Sequence, residues 1–107
     1  MSDSREYTTD EVREMFLDHV RMMTEYWHDL PDKTTRERME GLAFSILTCL
    51  DGGTSLPGFI VAPNPHESDK EFHEERGENW YPANTDCDVK GDIAGGLHEH
   101  IGKKEKS

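Results

Sequence analysis

The chain of 107 residues fits one domain of ordinary size, and with only 33% of residues apolar it has no material for a second independent core. A formal net charge of -11, from 23 acidic against 12 basic residues, argues against direct nucleic acid binding, which needs local positive charge. Only the short tail Lys103, Lys104 and Lys106 gathers any.

In chain order, Thr8 and Glu11 have the spacing of a capping box in front of Val12, Met15, Phe16, His19, Val20, Met23, Tyr26 and Trp27. This three-and-four periodicity predicts an amphipathic helix of about 19 residues, closed by Leu30-Pro31. A second box at Thr34 and Glu37 opens a run carrying Met39, Leu42, Ala43, Ile46, Leu47 and Leu50, with Phe44 widening the apolar face. That breadth predicts the central helix of the core. Gly41 in its interior suits close helix packing, and Asp51-Gly52-Gly53 supplies the stop. Residues 54–65 then carry Pro57, Gly58, Pro63 and Pro65, leaving Phe59-Ile60-Val61 as one short extended segment. Ser68 and Glu71 suggest a third box, opening a short helix that closes near Gly77. Trp80 and Tyr81 are expected to fold back on the core. A fourth helix is predicted to start between Thr85 and Asp88 and to carry Val89, Ile93, Ala94, Leu97 and Ile101, weakened by Gly91, Gly95 and Gly96. The expected fold class is mainly α: a single domain over 1–107, frayed near 1–7 and 102–107, with three to four helices, an irregular Pro/Gly/aromatic middle and at most one short strand.

Cys49 sits in an apolar helical pattern and Cys87 in a polar loop, which is too sparse for a disulfide scaffold. The N-terminus has no signal-peptide pattern and no run reaches the roughly 20 apolar residues of a membrane span, so a cytoplasmic protein is expected. Metal ligands are available at His66, His73, Cys87, His98 and His100, but there is no CxxC and no HExxH. His98 and His100 would stand about 200° apart on a helix. The candidate metal residues are Glu71, Glu74, Glu75, Asp88 and His98. Glu74-Glu75 followed by Glu78 resembles the paired carboxylates of helical nucleotide pyrophosphohydrolases of the MazG type, which implies a divalent metal beside a nucleotide. Gly77 falls inside that motif, and no second acidic motif follows on a long helix. A solvated helix face explains the same residues. Cys87 with His98 or His100 is a weak nucleophile candidate, and Cys49 reads as a small core residue. No catalytic residue is assigned, and an enzyme is the less favoured class. Phe59, His66, Trp80 and Tyr81 are the candidate partner or ligand surface. The acidic excess also fits a surface that imitates DNA, besides its ordinary role in solubility.

The segments Arg36-x-Arg38-x-Glu40-Gly41-x-Ala43-Phe44-Ser45-Ile46-Leu47, Leu50-Asp51-Gly52, Leu56-Pro57-Gly58-Phe59, Gly77-Glu78-Asn79-Trp80-Tyr81-Pro82 and Asp92-Ile93-Ala94-Gly95-Gly96-Leu97-His98-Glu99 resemble a family of small uncharacterised bacteriophage and prophage proteins over about residues 30–100. The resemblance implies an accessory protein in the cytoplasm of a bacterial host. It transfers no catalytic or binding residue. Three function classes follow: a protein-interaction module that engages a host or phage protein and self-associates, a metal-dependent nucleotide-binding or hydrolysing domain, and an acidic DNA mimic.

Overall fold

A computed structural model describes residues 4–82 and 91–102. Among them the secondary structure is helical without a strand: α1 (Thr9–Asp29), α2 (Thr35–Leu50), α3 (Asp69–Glu75) and α4 (Leu97–His100). The fold is a small helical domain with an irregular middle. The chain divides into two compact units, Met1–Phe59 with Lys90–Ser107, and Ile60–Val89.

In the first unit both predicted capping boxes form. The Thr8 hydroxyl accepts the Glu11 N–H at 3.1 Å while the Glu11 carboxylate accepts the Thr8 N–H at 2.9 Å. Thr34 and Glu37 repeat this geometry at 3.1 and 2.9 Å. Each cap contributes about 1 kcal/mol by pairing amides that the helix itself leaves open. Arg5 clamps Glu11 with two bonds of 2.7 and 2.6 Å.

The two helices meet where the Trp27 ring lies across Gly41. A Cβ on Gly41 would fall 2.5 Å from Trp27 ring carbons, so glycine is required for this approach. The indole N–H donates to Ser45 Oγ at 2.9 Å, and Arg38 donates to the Leu30 carbonyl at 2.8 Å, fastening α2 to the end of α1.

The buried core is Phe16, Leu17 and Cys49, with Val20, Ile46, Leu50, Leu56, Phe59, Ile93, Leu97 and Ile101 packed around it. This corrects the expectation that α2 is central. The centre belongs to α1, which touches both α2 and α4. On α2 the side chains of Met39, Phe44 and Leu47 are 67%, 70% and 60% exposed.

After α2 the chain turns through Gly52 at φ +87°. Gly53 N–H donates to Thr48 O at 2.9 Å and Gly52 N–H to Cys49 O at 3.1 Å, which is the Schellman pattern. The loop returns so closely that a Cβ on Gly52 would sit 3.2 Å from Gly58 Cα. It ends with Phe59 N–H donating to Leu50 O at 2.9 Å and its ring edge-on to Phe16, centroids 5.4 Å apart. No strand forms at Phe59-Ile60-Val61.

The last predicted helix is much shorter than expected. Gly91, Gly95 and Gly96 take φ of +68°, +101° and +76°, so only Leu97–His100 is helical among the described residues. Its expected start at Thr85 to Asp88 lies outside them. Two arginines of α1 hold this segment in place. Arg13 Nε donates to Ile93 O at 3.0 Å, and Arg21 donates to Ile101 O and His100 O at 2.9 and 2.6 Å.

In the second unit α3 begins without the predicted Ser68 cap. Ser68 has helical backbone angles and its hydroxyl is engaged by His66 Nδ1 at 2.8 Å instead. The end near Gly77 is as predicted: φ is +70°, Glu78 N–H donates to His73 O at 2.9 Å and Gly77 N–H to Glu74 O at 3.1 Å. No helix of the described residues is long and apolar enough to cross a membrane.

Candidate functional site

The four residues of the candidate surface do not behave alike. Phe59 is half-buried in the first unit and serves its core, through Phe16. His66 shapes the entry to α3: its Nδ1 accepts the Ser68 N–H at 3.1 Å and its own N–H donates to Asp69 Oδ2 at 3.1 Å. Trp80 and Tyr81, expected to fold back on the core, are instead 46% and 65% exposed, and their ring contacts among the described residues are with α3. Lys70 Nζ stands 5.2 Å from the centre of the Trp80 ring, while Tyr81 meets His73 edge-on at 6.2 Å. His73 is further fixed by Glu78 Oε1, 3.1 Å from its Nδ1, and by Phe72 at 5.3 Å. The polar turn of α3 therefore holds two open rings in a defined place.

The acidic candidates are not assembled into a ligand set. Glu71, Glu74, Glu75 and His98 are exposed, and no three metal-ligating groups including them converge among the described residues. Glu78 lies beyond the Gly77 turn, so Glu74, Glu75 and Glu78 do not share the helical spacing that the pyrophosphohydrolase resemblance requires. Asp88 and Cys87 lie outside the described residues. Cys49 is fully buried, with the Thr54 hydroxyl 3.8 Å from its sulfur.

Reasoning from the sequence missed one convergence. Glu25, His28 and Asp29, at the exposed end of α1, bring one imidazole nitrogen and two carboxylate oxygens within 4.8 Å of one another. Their helical spacing of three and four was the available signal, obscured by the many other carboxylates. His28 Nδ1 lies 2.9 Å from Asp29 Oδ1.

Two open grooves line the α1–α2 pair. One of about 270 Å³ is bounded by His19, Met23, Phe44, Ser45, Thr48 and Thr54. The other, of about 310 Å³, lies by Trp27, His28, Arg38, Met39 and Leu42. One residue lining each, His19 and Arg38 respectively, carries a buried nitrogen, Nε2 and Nε, with no hydrogen-bond partner among the described residues.

The strongest titration effect is structural. Glu11 is held at about 2, first by the Arg5 hydrogen bond and then by the Thr8 N–H. Glu37 is lowered by the Thr34 N–H. No family model, curated protein or solved structure matches the chain. The resemblance to phage proteins accordingly rests on the quoted sequence segments.

Proposed function

We propose that the protein is a non-enzymatic interaction module of phage-accessory type, acting in the bacterial cytoplasm, that engages a host or phage protein through Trp80 and Tyr81. The observation that carries this reading is the exposure of both rings against α3, Trp80 beside the cation of Lys70 and Tyr81 beside the His73 ring. Aromatic residues of this kind are the common anchors of protein interfaces, because one rigid ring removes a large apolar area from water at small entropic cost. Phe59, committed to Phe16 within the first unit, is left out of this surface.

The test is affinity capture from the bacterial host with wild-type protein and with the double variant Trp80→Ala/Tyr81→Ala. A stoichiometric partner retained by wild type and lost from a variant of unchanged helicity is the expected result. Equal capture by both, or none by either, overturns the assignment.

A further inference from the structure

Among the described residues of the first unit, the outer face of α2 has no neighbour that explains its composition. At 100° per residue, Met39, Ala43, Leu47 and Phe44 share an arc of about 140°, and all four are exposed. Arg36 and Glu40 lie on the same arc, joined at 3.2 Å, and Asp51 lies at its far end. An exposed helix face usually carries polar residues at such positions.

We infer that this face binds a second copy of the chain, with α2 packed antiparallel against α2 about a two-fold axis between Ala43 and Phe44. The charges are self-complementary in that register. Arg36 stands opposite Asp51 of the second copy, at both ends of the contact. The guanidinium retains donors for that carboxylate while bonded to Glu40, having five in all. The shapes agree as well, since each Phe44 ring faces the small side chain of Ala43 across the axis. The area argues the same way: Met39, Phe44 and Leu47 are each more than half exposed, and the stems of Arg36 and Glu40 extend the face toward the roughly 800 Å² per partner of a standard interface. A two-fold contact also closes on itself and leaves no repeating edge.

The test is the solution mass of the full chain by sedimentation equilibrium at near-physiological salt, where repulsion between the acidic chains is screened within about 8 Å. Wild type is expected as a dimer of 12.3 kDa subunits. Ala43→Arg is expected to give a monomer with unchanged helicity. Arg36→Asp is expected to weaken association about tenfold or more, and Arg36→Asp/Asp51→Arg to restore it. Neither exchange opposes the helix, because an acid then lies near its N-terminus and a base at its C-terminus. A monomeric wild type, a dimer that survives Ala43→Arg, or a double variant no better than Arg36→Asp overturns the proposal. None of these outcomes touches Trp80 or Tyr81, so the two interfaces are tested separately.

Discussion

Gly41 shows how a single hydrogen atom can decide a helix pair. Substitution by Ala gains about 1 kcal/mol of helix propensity, yet the new Cβ would lie 2.5 Å from Trp27 ring carbons. Overpacking of this kind costs about 1–3 kcal/mol, so Gly41→Ala is expected to destabilise in urea unfolding by about 1 kcal/mol net. In a Trp27→Ala background the same substitution is expected to become neutral or favourable, and that cycle isolates the ring contact. Glu11 supplies a pH-dependent prediction. Its folded value of about 2 lies below the ordinary 4.5, so its stabilisation is full above about 4.5 and disappears as pH falls through about 2. The stability gap between wild type and Glu11→Gln is therefore expected to be greatest near neutrality and to close over that interval, as read from unfolding midpoints at successive pH values.

At the scale of elements, the starts of α1 and α2 were legible because a capping box is a local device: residues three apart satisfy each other's backbone without help from the rest of the chain. The Ser68 box failed for the same local reason, since His66 reached the hydroxyl first. Helix ends at glycine were equally readable, but their cost differs with surroundings. Gly52 and Gly77 both need positive φ, at +87° and +70°. A Cβ at Gly77 meets nothing within 4 Å, whereas at Gly52 it meets the Gly58 backbone at 3.2 Å. Gly52→Ala is thus expected to lower the melting temperature further than Gly77→Ala, whose cost is the left-handed strain of about 1–2 kcal/mol.

For the whole molecule, the decisive interactions join residues about eighty positions apart. Arg21 satisfies the carbonyls of His100 and Ile101 while Glu14 and Asp18 each contact its guanidinium at 2.8 Å. Burial acts to lower its proton affinity, and these carboxylates more than offset that. Arg21→Gln is expected to accelerate hydrogen exchange at the His100 and Ile101 amides about tenfold or more, while amides at Phe16 and Leu17 keep their protection. Unchanged exchange in α4 would show that apolar packing by Leu97 and Ile101 suffices to hold the segment.

The sequence by itself determined the mainly helical class, both long helices with their caps, and the glycine stops, because each follows from periodicity or from hydrogen bonds between near neighbours. It also singled out Gly41 as a packing position, whereas Trp80 and Tyr81, expected to fold back on the core, are exposed. Only the tertiary structure decided that α1 lies at the centre, that Leu17 is buried, and that Phe59 belongs to the core. It also reduced the described part of the last helix to Leu97–His100 and brought Glu25, His28 and Asp29 together. The physical reason is that a side chain's burial depends on which elements cover it. Periodicity identifies an apolar face, and the fold then selects which part of it is covered: on α2 it covers Ile46, Cys49 and Leu50 and leaves Met39, Phe44 and Leu47 exposed.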